Sequence, residues 1–415
     1  MQQEMLQVSR RYKNIVLLSP TGSGKTLAYL VSCNMDEGVL VLVPSRELAM
    51  QTRDVAAKLY PELKAYACYG GRAAMDEHRQ MREIKPTLIA GTPGRVLDHL
   101  EKGNICAESI HTLVIDEFDK SLELGFQQQM REIVSMLANV ERRILLSATD
   151  NEKIPEFVGV GEMSSAQGEL KKLNFLEKDD YEGRIEQFYV KSPEKDKLRT
   201  LEALLRSRPE ETWMVFLGFR DAVSRVADFL RDTGFSISAF HGGMEQRDRE
   251  RALFRFKSGA ANVLVCTDLA GRGLDIDGVD NIVHYHLPLN EETLIHRNGR
   301  TARWDKVGRS YLLVGPEERV PECSELILPS RLPAVAPSKW EVLYIGKGKK
   351  DKVNKVDVVG FLSKTGGLSR DELGMVSVFP GWCFAAVSRK CIKSLMQKIK
   401  GQKIKGMKTI FEVMR

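Results

Sequence analysis

Lys25, Thr26, Asp116 and Glu117 are the residues whose types and spacing point most directly to chemistry. Lys25 and Thr26 close the run Pro20-Thr21-Gly22-Ser23-Gly24-Lys25-Thr26. Its glycines let successive backbone N–H groups turn toward a phosphate chain, its lysine sets a cation between the terminal phosphates, and its threonine offers a hydroxyl to Mg²⁺. Asp116 and Glu117 lie in Ile115-Asp116-Glu117-Phe118-Asp119, which supplies one carboxylate for a metal ion and a second to activate water. Together they predict a nucleotide-binding P-loop and an ATPase using ATP and Mg²⁺, with Thr26 and Asp116 on the metal. Phe118 is apolar and is expected to pack beneath the site. A plain Gly/Ser turn and an acidic helix cap are the bland alternatives; the elements around both runs argue against them.

Those elements are short apolar runs alternating with helix-like stretches. Asn14 to Ser19 precedes the glycine-rich turn and reads as a buried strand, and Leu27-Ala28-Tyr29-Leu30 opens a helix. Val39 to Val43, Thr87 to Ala90, Thr112 to Ile115 and Arg143 to Leu146 continue the pattern. A mostly parallel sheet covered by helices follows, with ligands at its carboxyl edge. After Asp150 one more helix-like stretch leads to a charged segment from Lys171 to Tyr181, read as a linker. The pattern restarts with Ile185 to Val190, Met214 to Leu217, Val263 to Cys266, Ile282 to Tyr285 and Ser310 to Val314, this time without a GxxxxGK run. Five prolines between Pro316 and Pro337 read as a second linker. Beyond it, four strand-like runs starting at Glu341, Met375, Cys383 and Thr409, with helix-like segments near 352–362 and 388–400, give a βαββαβ order similar to a small RNA-recognition fold. The expected domains are 1–170, 182–320 and 338–415.

Length and charge agree with that division. A chain of 415 residues exceeds one ordinary core. Its net charge of +6 is unevenly spread: residues 341–415 hold sixteen Lys/Arg against six Asp/Glu. A concentrated basic tail predicts a polyanion-binding module. Seven cysteines without CxxC spacing argue against structural zinc and a disulfide framework. No long apolar run or signal-peptide pattern is present, so a cytoplasmic protein without membrane contact is expected.

With these motifs in place, the chain resembles a DEAD-box ATP-dependent RNA helicase over residues 1–315. The matching segments are Thr21 to Thr26, Pro44 to Ala49, Gly70-Gly71, Thr92 to Arg95, Asp116 to Asp119 and Ser147-Ala148-Thr149, then Gln246 with Arg249, Thr267 to Asp275, and His296 to Arg303. The resemblance implies two tandem RecA-like α/β domains and a small α+β, RRM-like third domain. It implies that Lys25, Asp116, Glu117, Arg300 and Arg303 are catalytic, the two arginines acting on the γ-phosphate. Gln2, Thr21, Gly22, Ser23, Gly24, Lys25, Thr26, Gly273 and Asp275 would bind nucleotide. Ser147 and Thr149 would couple the nucleotide site to closure, and Arg46, Gly71, Thr92, Arg95, Arg220, Gly242 and Thr267 would hold the RNA backbone.

Three positions depart from the family. Phe118 and Ala302 stand where alanine and glycine are usual, and both substitutions leave every charged group in place. The adenine-reading glutamine aligns with Gln2 without the aromatic residue and helix that usually precede it, so either the chain begins late or adenine selectivity is weakened. The tail, with Ile345 to Val353 and Gly401 to Gly406, is similar to the carboxyl-terminal domain of the bacterial DEAD-box helicases that recognise a hairpin of 23S ribosomal RNA. Lacking an RNP aromatic signature, it is expected to bind through basic and polar edges. The implied function is an RNA-dependent ATPase, working as a monomer, that remodels short duplexes in pre-50S particles. A non-catalytic ATP-dependent RNA clamp is the main alternative, and a DNA helicase a third.

Overall fold

The computed structural model describes residues 1–20, 22–71, 74–150, 154, 156–159, 170–176, 184–268, 276, 278–301 and 307–414. Three sheets and a two-stranded hairpin organise the described residues. The first, sheet A, holds β1 (Asn14–Leu18), β2 (Gly38–Leu42), β3 (Ala65–Cys68), β4 (Leu88–Gly91), β5 (Ile110–Ile115), β6 (Arg142–Ser147) and β7 (Leu170–Asn174). It is parallel, in the order β3-β4-β2-β5-β6-β1-β7. Its strands are apolar throughout because both faces are covered. Ile15, Leu17, Val39 and Val41 enter one core with Ala28 and Tyr29, while Val16, Leu18, Leu40 and Leu42 enter the other with Ile133 and Phe118.

Sheet B comprises β8 (Ile185–Lys191), β9 (Trp213–Leu217), β10 (Ile237–Phe240), β11 (Val263–Thr267), β12 (Asn281–His284), β13 (Gly308–Val314) and β14 (Ser324–Glu325). Its order is β10-β11-β9-β12-β13-β8-β14. Counted from each sheet's own first strand, the two orders are the same. Each is the RecA-like arrangement expected.

Both expected linkers contribute to sheets. Lys171 and Lys172 lie in β7, paired with Ile15 and Val16 of β1, and Leu173 and Phe175 enter the core. Lysines suit an edge strand, whose free side would otherwise template aggregation; this charge disguised the strand. Residues 177–183 lie outside the described residues. In the proline-rich stretch, Ser324 and Glu325 pair with Phe188 and Tyr189 of β8, and Leu326, Leu328 and Val335 pack on the core of sheet B. The prolines confine it to the sheet edge.

Sheet C is antiparallel, with β15 (Trp340–Ile345), β16 (Leu373–Val378), β17 (Cys383–Ser388), a hairpin of β18 (Lys403–Ile404) and β19 (Met407–Lys408) beside it, and β20 (Phe411–Met414). Its order β16-β17-β15-β20 and the helices Lys355–Lys364 and Ile392–Ile399 give the expected βαββαβ fold. Leu343, Ile345, Ala385 and Val387 face those helices. On the other face, Val342, Phe384, Ala386 and Met414 share a core with Phe254 and Ala260 of sheet B's flanking segment.

By compactness the chain falls into two units. One is Met1–Ile185 with Arg272–Gly278 and Asn290–Lys306; the other is Glu186–Gly271, Val279–Leu289 and Val307–Arg415. The helix Glu291–Asn298, which follows β12 in the chain, belongs to the first unit, and sheets B and C share the second.

Candidate active site

In the first unit the turn after β1 leads into the helix Lys25–Leu30, capped by Gly24 at φ 87°. That left-handed φ suits glycine, and a Cβ there would also stand 2.5 Å from the end of the Gln2 side chain, which would have to move. Gln2 Nε2 donates to Ser23 O at 3.1 Å. It thus lies directly against the turn, at the head of a helix Gln2–Ser9 that follows it. Ser19 Oγ donates to Ser23 Oγ at 2.6 Å. Lys25 Nζ donates to Ser19 O at 2.6 Å and Pro20 O at 3.1 Å. Burial pulls its pKa below the ordinary lysine value against the attraction of Asp116, Glu117 and Asp119, and Arg300 pulls it the same way as burial. Four charged groups therefore lie within electrostatic reach of Lys25. Thr21 lies outside the described residues; Gly22 and Thr26 flank the lysine's loop.

Asp116 and Glu117 follow β5. Burial, then the neighbouring Glu117, push Asp116 up to about 7. Its Oδ1 accepts from Glu117 N at 3.0 Å. Glu117 adopts φ 50°, ψ 52°, a left-handed conformation that a glutamate holds only when its surroundings enforce it. The residue is buried, and its Oε2 has no hydrogen-bond partner among the described residues. A strained backbone and an unsatisfied carboxylate oxygen would be costly as mere structure. Beside Asp116, the unpaired oxygen belongs to a pair of buried carboxylates of the kind that can hold a cation and position a water. Phe118 is buried in the core beneath them, as expected.

Ser147 ends β6. Its Oγ donates to Thr149 O at 2.7 Å and accepts from Thr149 N at 3.0 Å, and Thr149 Oγ1 donates to Asp119 Oδ2 at 3.3 Å. Asp119 faces His296 Nε2 at 3.7 Å, and His296 lies 3.5 Å from Glu292 Oε1. Lys120, fully buried, bridges Glu123 at 2.8 Å and Glu292 at 2.5 Å. The hydrogen bond to His296, followed by Lys120, holds Glu292 down at about 2. Sequence reasoning missed Lys120 and Glu292 as site neighbours. The four-residue spacing of Glu292 and His296 on one helix was the available signal, whereas an isolated lysine carries none. Arg300 is buried in the same unit. Gly273, Asp275, Ala302 and Arg303 lie outside the described residues.

The expected RNA contacts fall into matching sets at the carboxyl edges of sheets A and B. Arg46 opens the helix after β2 and lies over Gly71, where a Cβ would meet its Nη1 at 2.3 Å. Thr92 follows β4 and caps the helix Pro93–Glu101. Arg95 Nε donates to buried Glu77 Oε2 at 2.5 Å and its Nη1 to Asp98 at 3.3 Å. In the second unit Arg220 opens the helix after β9 and reaches over Gly242, 3.4 Å from the position of a Cβ there, and Thr267 ends β11. A guanidinium over a bare glycine, twice, sets a cation beside exposed backbone, the kind of groups that meet a sugar-phosphate chain.

Sheet C does not offer the aromatic face of a sheet-reading RNA module. The helix Gln246–Lys257 lies on that face: Phe254 packs on Phe384 with centroids 5.4 Å apart, and the Arg247 guanidinium stands 4.7 Å from the Tyr344 ring and 5.7 Å from that of Trp382. Arg255 Nη1 donates to Met414 O at 2.8 Å. At one end of the sheet the lysine-rich loop after β15 is pinned by Lys349 N and Lys350 N donating to Phe379 O and Pro380 O. Lys405, in the hairpin turn, donates to Lys352 O at 2.8 Å. Two basic segments distant in sequence thus meet.

Comparison with known proteins agrees with the geometry. Residues 1–157 match the DEAD/DEAH box helicase family, 196–305 the helicase conserved C-terminal domain and 342–413 the DbpA RNA binding domain. The ATP-dependent RNA helicase DbpA of Escherichia coli is 31% identical across 95% of this chain and 89% of its own length. The Bacillus subtilis protein of the same name is 29% identical across 98% and 92%. Among solved structures, S. cerevisiae Dbp5 bound to RNA and ADP BeF3 superposes with a TM-score of 0.66, at 24% identity over 78% of this chain and 88% of that one, a likeness of fold. The chain belongs to the DEAD-box ATP-dependent RNA helicases and carries a DbpA-type RNA-binding domain at its carboxyl end.

Proposed function

We propose that this ATP-dependent RNA helicase is directed to 23S ribosomal RNA and remodels short duplexes in pre-50S particles, with domains 1–170 and 182–320, extended by β7 and β14, as the motor and 338–415 as the RNA reader. In this reading Lys25 and the backbone of Gly22 to Thr26 hold the phosphates, with Thr21 and Gln2 beside them, and Thr26 and Asp116 hold Mg²⁺. Bound there, the ion would neutralise phosphate charge. Glu117 orients and deprotonates the attacking water. Arg300, with Arg303, stabilises charge developing on the γ-phosphate; Gly273 and Asp275 complete the nucleotide contacts. Ser147 and Thr149, through Asp119, relay occupancy of the site. Arg46, Gly71, Thr92, Arg95, Arg220, Gly242 and Thr267 hold a single strand without reading its bases. The enzyme works as a monomer in the cytoplasm; among the described residues no helix is long and apolar enough to cross a membrane.

The observation that carries the catalytic reading is Glu117: buried, left-handed, with an unpartnered carboxylate oxygen beside Asp116. Phosphate release measured without nucleic acid, with structured RNA and with DNA tests it. Turnover should rise with RNA alone. RNA binding without turnover would favour a clamp, and equal stimulation by DNA would remove RNA specificity.

The covered face of sheet C and its lysine-rich end support recognition through the end loops. Deleting residues 338–415 would strip Phe254 and Ala260 of their packing, so the reader is better tested in the whole protein. Reversing charge at Lys350 and Lys403 together should abolish preference for a 23S hairpin over a charge-matched unrelated hairpin at fixed ionic strength. No preference in the unmodified protein would refute ribosomal direction.

A further inference from the structure

Arg46 and Arg220 occupy the same place in their respective sheets, the first turn of the helix after the second strand, but the residues before them differ in kind. Ser45 caps its helix, its Oγ accepting from Leu48 N at 3.2 Å. The cap of the helix Arg220–Asp232 is Phe219, which has no polar atom to offer and is 71% exposed. Phenylalanine is a poor choice at a helix cap, where an oxygen is wanted. It is also a poor choice for open solvent, and a single exposed aromatic would ordinarily need no comment. Its neighbours make the difference. Leu217, two residues earlier, pairs with Thr267 in β11, and β11 pairs in turn with β10, which runs into Gly242. Phe219 therefore stands on the edge that carries Arg220, Gly242 and Thr267. Its ring meets His286 edge-on, with centroids 5.8 Å apart, and His286 Nδ1 accepts from Gly218 N at 3.0 Å.

We infer that Phe219 is a stacking platform for a nucleobase of the single strand whose backbone Arg220, Gly242 and Thr267 hold. A basic and hydroxyl-bearing edge tracks phosphates, and an aromatic face set among such groups engages any base, because every base has a π-face. The consequence is asymmetry: the first unit meets the backbone through Arg46, Gly71, Thr92 and Arg95, while the second also grips a base. A base drawn onto Phe219 is unavailable for pairing, so the residue favours strand over duplex at this edge. The inference rests on the proposed RNA contacts.

The test uses the full chain, a non-hydrolysable ATP analogue and a fluorescent oligouridine at fixed salt. Phe219→Ser removes the platform while supplying the missing cap, so it should weaken RNA binding about tenfold, the scale of one lost stack, with a melting temperature equal to or above that of the parent. Phe219→Trp should bind within about twofold of the parent, and its indole emission should be quenched by RNA beyond the change shown by the four native tryptophans. Arg220→Ala separates the two levels. If it binds RNA as the parent does, the assigned RNA edge is wrong and the platform falls with it. If Arg220→Ala weakens binding while Phe219→Ser does not, or Phe219→Trp shows no added quenching, the edge stands and the platform is refuted.

Discussion

Sheets A and B share one strand order, and each places a lysine at the start of the helix after its first strand, yet the two lysines have opposite fates. Lys25 Nζ has two loop carbonyls. Lys197 Nζ is also buried but is saturated, donating to Leu313 O at 2.9 Å and to both Glu318 oxygens at 2.8 and 3.0 Å. After the fifth strand the first sheet presents Asp116 and Glu117; the second presents Tyr285, whose hydroxyl donates to Asp196 at 3.0 Å. One scaffold thus serves two ends. Where charges are left incompletely matched, the edge is ready for a triphosphate. Where they are matched internally, it is structure. Around this difference one motif recurs in both, an arginine over a glycine, Arg46 over Gly71 and Arg220 over Gly242.

The comparison breaks first if Glu117 is not the group that the first edge exists to position. Glu117→Gln should slow RNA-stimulated phosphate release by roughly 10²–10⁴-fold while leaving nucleotide binding largely intact, since size and hydrogen bonding are kept and the base is lost. A folded variant turning over at the parental rate would end that assignment. The paired lysines give the next largest effects, in different readouts. Lys25→Ala should cost nucleotide affinity by about 10- to 100-fold, the scale of charge-assisted hydrogen bonds, with little change in melting. Lys197→Ala should do the reverse, lowering stability by roughly 1–3 kcal/mol with nucleotide affinity unchanged. Equal effects from both would erase the distinction. The smallest effect concerns pH. With Asp116 raised to about 7, the folded state retains a proton that the unfolded state has released above about pH 4. Stability of the nucleotide-free protein should therefore fall as pH rises through that window. Asp116→Asn should raise the melting temperature more at pH 8 than at pH 5; an equal rise at both would contradict the shift.

Much of this was legible because the chemistry follows strands. Asp116 and Glu117 come directly after a continuous apolar run and Lys25 follows one through its glycine-rich turn, and such runs survive reading without neighbours. β3 and β10 were not read: Ala65-Tyr66-Ala67-Cys68 and Ile237-Ser238-Ala239-Phe240 are diluted by small and polar residues. They are edge strands, defined by pairing with β4 and β11 rather than by their own pattern. Lys171 and Lys172 misled for the opposite reason, as charges on an edge resemble charges in a linker. The left-handed backbone of Glu117 and the burial of Lys120 have no local signature at all. Phe254 likewise reads as part of its own helix until sheet C is folded onto it.

That covered face sets where the protein can be cut and rejoined. Arg247 lies against Tyr344 and Trp382, and Phe254 against Phe384, so the reader and one motor helix form a single joint. Grafting residues 338–414 alone onto another helicase should give a loosely tethered passenger with an exposed aromatic face. The portable part is the reader together with the surface of Gln246–Lys257, and a chimera carrying both should inherit the parent's orientation as well as its RNA preference.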